Sequence, residues 1–233
     1  MDKFIGILGG MGTDATNYFY QLLHSYSDAS CDQEHLNVLL YNHAKIPDRT
    51  HYILHEENNP TQHLVESAQL LENAKVDFIV IPCNTAHYFY EAISSKVDIP
   101  VINLIDEVLI EANTNKVGIL ATKGTIQSNL YGRYASKYKM DVVYPDHTLQ
   151  EDINKIIYQI KEGINVDVNV LNKQLQVFVE ENNLNTIILA CTELSLIVDQ
   201  LKIDNTKIID SNSLLAKLTY QYGKGIIPYK DYL

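Results

Sequence analysis

The stretch GILGGMGT (Gly6–Thr13) returns later in the chain as GILATKGT (Gly118–Thr125), keeping Gly-Ile-Leu and, at the same offset, Gly-Thr. Each copy reads as a strand, a tight turn and the start of a helix. Each is also followed by an apolar run that ends in cysteine, FIVIPCNTAH in the first half and TIILACTELS in the second. Cys83 lies 77 residues after Gly6, and Cys191 lies 73 residues after Gly118. A second match at nearly the same spacing makes this an internal repeat of two α/β halves, each with one cysteine in the matching place.

The segments between these marks fit that reading. Short Val/Ile-rich runs predict strands over Phe4–Leu8, Asn37–Tyr41, Phe78–Ile81, Val101–Asn103, Val117–Leu120, Asp141–Tyr144, Thr186–Leu189 and Ile208–Ile209. Helical spacing is read over Asp14–Tyr26, Thr61–Asn73, Thr85–Lys96, Ile126–Lys137, Gln150–Lys161 and Asp167–Glu181. Near-continuous apolar strands alternating with helices imply parallel sheets covered on both faces. The expected fold is therefore α/β, with two similar doubly wound lobes related by a pseudo-twofold axis. The first lobe is expected over about 1–100 and the second over 101–207, with 208–233 returning to the first. Ligands of open α/β sheets sit at the carboxyl ends of the strands, where both glycine turns and both cysteines fall.

Charge and cysteine usage narrow the function. A net charge of −11 over 233 residues leaves no basic face for nucleic acid. No apolar stretch reaches the length of a membrane span, and the apolar run at the start is ended by glycines before it makes a signal segment. Three cysteines without C-x-x-C or zinc spacing predict free thiols and a cytoplasmic protein.

A lone cysteine after an apolar strand is more often inert packing than chemistry. Cys83 and Cys191, however, share one setting: a strand end, a polar turn, then a helix start. Backbone N–H groups and a helix dipole at such a place favour a thiolate. Two thiols facing one carbon from opposite sides suit a two-base reaction, in which one removes a proton and the other delivers one to the far face. Cys31, without a repeat counterpart, is read as a loop or helix-end residue.

Taken together, GGMGTDAT, IPDRT, PCNTAH, ATKGT and ACTEL, in this order along essentially the whole chain, resemble the aspartate/glutamate racemase family. Thr13 stands where many of its members carry proline. The resemblance implies an active site between two lobes, Cys83 and Cys191 as acid/base residues, no pyridoxal phosphate or other cofactor, no metal, and commonly a homodimer. The implied activity is racemisation of an acidic amino acid, aspartate or also glutamate. A related dicarboxylate isomerase or decarboxylase, or an acidic amino-acid binding module without turnover, is the alternative.

An acidic amino acid needs anion sites. Composition alone would pair Arg49 with Asp48 at the surface and make Lys161 a helix-end charge. The resemblance instead places Arg49 and Lys161 on substrate carboxylates, with Thr50 assisting. The turn Thr122–Lys123–Gly124–Thr125 presents N–H groups ahead of a helix, as does the turn carrying Met11. Asn84, Thr85, Thr192 and Glu193 complete the expected substrate-binding set, with Met11 as pocket wall or core. His87 and Glu193 also stand as cysteine-orienting or plain first-turn residues. His51, His55 and His63 lie in a segment read as a polar loop or lid rather than a metal site, and the sixteen tyrosines as interface residues.

Overall fold

The computed structural model describes residues 2–230. The first half runs β1 (Ile5–Gly9), α1 (Thr13–Ser25), β2 (Val38–Asn42), α2 (Arg49–His55), α3 (Thr61–Asn73), β3 (Phe78–Val80), α4 (Tyr90–Ser94) and α5 (Leu104–Ala112). The second runs β4 (Lys116–Ala121), α6 (Lys123–Gln127), α7 (Leu130–Ala135), β5 (Asp141–Val143), α8 (His147–Lys161), α9 (Asn169–Glu181), β6 (Thr186–Ala190), β7 (Lys207–Asp210) and α10 (Ser211–Gly223). Short 3₁₀ turns at Thr85–Phe89 and Leu194–Gln200 follow the two cysteine-bearing strand ends.

Two parallel sheets result, ordered β2-β1-β3 and β5-β4-β6-β7. The repeat is visible in their register. Gly6 of β1 pairs with Ile79 of β3, and Gly118 of β4 pairs with Ile187 of β6; each partner stands four residues before its cysteine. Both glycines allow a close approach in the same way. A Cβ on Gly6 would lie 2.9 Å from Val76, and one on Gly118 would lie 2.9 Å from Leu184 and from Phe178. Neither position has room for a side chain.

The fourth strand of the first sheet is reduced to one bridge, Ile79 with Val101, where the sequence predicts a strand over Val101–Asn103. Pro100 has no N–H to extend a ladder. Asn103 then caps the next helix at once, its side chain accepting from the Ile105 and Asp106 N–H groups. Asp210 does the same after β7, accepting from Asn212 and Ser213. The segment Val101–Ala112 is thus the counterpart of β7 and α10, although α5 escapes the periodicity reading because it is buried almost all round.

These last helices are exchanged between the halves. α5 packs on α7, β6 and β7, and α10 reaches across to α1 and α5 while still touching β6 and β7. The tail expected to return to the first lobe is therefore divided: β7 is the outer strand of the second sheet, while α10 lies against the first half. Residues 231–233 of that expected tail lie outside the described residues. One apolar core runs through both sheets, from Ile5, Ile7, Phe78 and Val80 through Ile105 and Val108 to Ile119, Ile188 and Leu215. A further cluster backs each sheet on its outer face.

The segment read as a polar loop after Arg49 is instead α2. The Asp48 carboxylate accepts from the His51 N–H to cap its start, and Glu56 closes it in a left-handed conformation with φ 59°. His51 and His55 stack with ring centroids 4.7 Å apart, and His63 sits against His43 instead. Among the described residues no group of three or more His, Cys, Asp or Glu side chains is placed to hold a metal ion, and no helix is long and apolar enough to cross a membrane.

His87, just after Cys83, ties the strand end to α5. Its Nδ1 lies 2.9 Å from the Cys83 carbonyl oxygen, and its Nε2 accepts from the Leu104 N–H at 3.1 Å. This pattern fixes the neutral ring with its proton on Nδ1. Burial pushes its pKa down to about 4. The unfolded chain takes up a proton near pH 6.5 that the folded chain refuses, so stability is full above that pH and falls as pH drops towards 4. The loss reaches about 3 kcal/mol at 1.36 kcal/mol per pH unit. Urea unfolding at pH 7.5 and pH 4.5 is expected to show a loss of stability that shrinks by that order in His87→Asn. An equal loss in both proteins would contradict the assignment.

Candidate active site

One narrow cleft opens at the carboxyl ends of both sheets. It is lined by Met11, Asp48, Arg49, Thr50, Cys83, Asn84, Thr85, Thr122, Lys161, Cys191, Thr192 and Glu193, and encloses about 280 Å³ including its mouth. The fold brings these residues together from places far apart in sequence. β3 delivers Cys83, β6 delivers Cys191, α2 contributes Arg49 and Thr50, and α8 supplies Lys161 from its last turn.

The two thiols are both buried, at 6% and 5% exposure, and both face the cleft. The backbone N–H of the residue after each cysteine, Asn84 and Thr192, has no hydrogen-bond acceptor among the described residues. Unpaired buried N–H groups are rare, and a pair of them beside two thiols is a ready anion site.

Arg49 is buried rather than superficial. Its Nη1 donates to the Ile46 and Pro47 carbonyls at 3.2 and 3.0 Å, while its buried Nε has no partner. Asp48 is engaged at the α2 cap, and among the described residues no carboxylate lies within ion-pair distance of Arg49. A buried guanidinium without a counter-ion, facing a cleft, calls for an anion from outside the chain. Lys161 also lines the cleft, 3.8 Å from Glu193 and with its ammonium over the Tyr158 ring. Burial works against its charge, but Glu193 and Cys191 outweigh this and hold its pKa above the ordinary lysine value.

The surroundings of the thiols differ. Cys191 donates from Sγ to Glu193 Oε2 at 3.0 Å. Burial pushes the Cys191 thiol well up, Glu193 adds to the effect and Lys161 opposes it. Beside Cys83, Asn84 is locked by inward bonds. Its Nδ2 donates to Ser211 Oγ at 2.9 Å, and its Oδ1 accepts from the Tyr131 hydroxyl at 2.6 Å. Thr85, the counterpart of Glu193 by position, belongs to a triangle of hydroxyls with Thr122 and Thr125, with sides of 2.9 to 3.1 Å.

Three residues of the expected binding turn do not line the cleft. Lys123 points away and pairs with Glu151 at 2.6 Å. Thr125 is buried behind Thr85 and Thr122. Gly124 supports the site from outside: a Cβ there would lie 2.8 Å from the Thr50 Cα, so the glycine lets α6 meet α2. Cys31 is exposed at the start of a 3₁₀ turn, as a loop residue. Asp48 lines the cleft although the motif reading gave it only a pairing role. Tyr131 and Ser211 support Asn84 with no sequence signal to mark them, since their contacts exist only once the halves are packed.

Comparison with known proteins identifies the family of the chain. Residues 8–219 match the family described as Asp/Glu/Hydantoin racemase. The chain is 31% identical over 221 residues to a broad specificity amino-acid racemase, RacX, of Bacillus subtilis, covering 92% of this chain and 96% of that one. Among solved structures, the aspartate racemase of Picrophilus torridus superposes with a TM-score of 0.80 at 28% identity, covering 95% of this chain and 94% of that one. An aspartate racemase homologue from Pyrococcus horikoshii shares the fold with a TM-score of 0.78 at 24% identity, over 95% of this chain and 99% of that one. With a family match across both halves of the repeat, the chain belongs to the Asp/Glu/hydantoin racemase family and is an amino-acid racemase.

Proposed function

We propose that the chain racemises an acidic amino acid, aspartate in the first place and glutamate as the alternative, by a two-base mechanism that uses Cys83 and Cys191. The observation that carries this reading is the meeting of two repeat-related thiols in one cleft with a buried, unpaired Arg49. In the proposed reaction the α-carboxylate sits on the Asn84 and Thr192 N–H groups. The side-chain carboxylate is held by Arg49, Thr50 and Lys161, which supplies the bidentate donor geometry and charge that a carboxylate favours. One thiolate takes the α-proton, the electron pair stays on the carbon and its carboxylate, and the opposite thiol delivers its own proton to the other face. No bound cofactor takes part in this scheme. The same reading has the chain working as a homodimer in a reducing cytoplasm, where thiols stay free.

In deuterated water the enzyme is expected to lose the optical activity of L-aspartate while placing deuterium at Cα. Cys83→Ala and Cys191→Ala should each lower the rate by at least about 10²-fold, the usual worth of a positioned acid or base. Racemisation that persists in either variant would sink the two-thiol mechanism. A product other than the enantiomer, by loss of carbon dioxide or isomerisation of a dicarboxylate, would instead identify the related chemistry. Saturable binding without exchange at Cα would leave a binding module.

Arg49→Ala is expected to raise KM for aspartate by about 10- to 100-fold, the equivalent of a lost charged hydrogen bond of about 1.5–3 kcal/mol. Steady-state kinetics with both enantiomers checks this. An unchanged KM would remove Arg49 from the substrate site.

A further inference from the structure

Asn84 lines the cleft, yet both ends of its amide are turned inward and only 1% of the residue is exposed. The Tyr131 hydroxyl on α7 donates to Oδ1 at 2.6 Å, and Nδ2 donates to Ser211 Oγ at 2.9 Å. Ser211 gives its own proton to the Leu189 carbonyl at 2.7 Å, so towards Asn84 it can only accept. Burial pushes the pKa of Tyr131 well above the ordinary phenol value, which leaves its hydroxyl a donor throughout the working range of pH. The hydrogen bonds therefore run one way, from Tyr131 through Asn84 and Ser211 to β6. They end at Leu189, two residues before Cys191.

The turn after Cys191 is not held in this way. Thr192 takes the place of Asn84 there, and among the described residues its hydroxyl bonds its neighbour Glu193, at 3.5 Å. Beside Cys83, Thr85 also crosses between the halves, but to two hydroxyls that can rotate to suit it. The Asn84 amide is planar, and exchanging its two ends would leave its oxygen facing a Ser211 with no proton to give. Three buried groups in series thus set where the Cys83 turn stands relative to the strand that carries Cys191. Tyr131 heads the series, fully buried and outside the lining of the cleft.

We propose that Tyr131 is a positioning residue for the two-base reaction: through Asn84 it sets the Cys83 sulfur and the Asn84 N–H against Cys191, so that both faces of the substrate carbon are served in one binding event. The inference rests on the two-thiol reading given above. Reacting atoms must come within about 3–3.5 Å of each other. Taking the α-proton asks this of one sulfur, whereas inversion asks it of both. A Cys83 turn freed to shift therefore harms inversion more than proton removal. A proton held on one thiol then has time to be replaced by a deuteron from solvent and to return to the face it left. That return restores the starting enantiomer, now with deuterium at Cα.

Tyr131→Phe keeps the ring and removes the donor. In deuterated water at low conversion, the readout is deuterium in the recovered starting enantiomer relative to deuterium in its mirror image. This ratio does not depend on how much of the variant is folded, so a loss of stability alone leaves it unmoved. It is expected to rise several-fold. The kcat for each enantiomer is expected to fall by about 10- to 100-fold, the cost of a misplacement of about 1 Å. Because two enantiomers are equal in energy, kcat/KM must fall by the same factor in both directions. Ser211→Ala, which releases the other end of the amide, is expected to raise the ratio as well and applies the same test should Tyr131→Phe fail to fold. Tyr222→Phe is the control: that hydroxyl is also buried but bonds Glu107 on α5, and the ratio is expected to keep its wild-type value. A wild-type ratio in Tyr131→Phe, whatever its rate, would overturn the proposal and leave Tyr131 a packing residue. A rise of equal size in Tyr222→Phe would overturn it too.

A second measurement is independent of turnover. Backbone amide hydrogen exchange is expected to quicken over Cys83–His87 in Tyr131→Phe and to stay as in the wild type over Cys191–Ser195. Unchanged protection over Cys83–His87 would overturn the proposal. A wild-type enzyme that leaves the α-proton of aspartate and glutamate in place would instead defeat the functional reading, while the amide exchange still reports on the hold of Tyr131 over the Cys83 turn.

Discussion

The exchange of α5 and α10 between the halves is the constraint on which the rest depends. Seven of the nine residues of α5 are buried, including Asp106 and Glu107, and the helix leaves its own sheet to pack against the other. Each half therefore lacks a complete cover of its own, and the apolar surface that would be exposed by separating them is the centre of a common core. Two sheets fused in this way cannot drift independently. Their carboxyl ends, and the two cysteines on them, are held at a fixed separation by apolar burial far from the cleft.

Polar groups sharpen what that burial sets. Ser211 donates to the Leu189 carbonyl on β6 at 2.7 Å and receives the Asn84 amide, while Tyr131 approaches Asn84 from the other side. A residue next to Cys83 is thus bonded to the first residue of α10 and to α7, and only through them to the strand that carries Cys191. The Tyr222 hydroxyl adds a buried bond to Glu107, tying α10 to α5. Buried networks of this kind are satisfied only in one arrangement, so they specify geometry more than they add stability.

Much of this was legible in the sequence because the repeat is carried by residues with special duties. Gly6 and Gly118 have no room for a Cβ, and the two cysteines end matching strands, so their spacing survives in plain letters. Eleven of the residues named for substrate binding or catalysis meet in the cleft, most of them in turns at strand ends, with Arg49 and Thr50 on α2 and Lys161 at the end of α8. The failures have physical causes as well. Lys123 was named for its turn, but a long flexible side chain follows the nearest carboxylate, here Glu151. α5 is short and buries even its polar positions Asp106 and Glu107, and the supporting roles of Tyr131 and Ser211 are created by packing. The destination of β7 could not be read either, since a strand of the right length fits an edge of either sheet.

The hydroxyl triangle of Thr85, Thr122 and Thr125 joins the two halves directly behind the thiols. Each hydroxyl in such a ring can give one proton and receive one, so the ring closes on itself and is electrically silent. A salt bridge in the same place would have linked the halves equally well, but it would have laid a permanent field across both sulfurs. By joining the halves with neutral groups, the fold leaves the balance of charge at the cleft to Arg49, Lys161, Asp48, Glu193 and the two thiols. The seam at this point therefore adds no formal charge to the site, although Thr85 and Thr122 themselves line it.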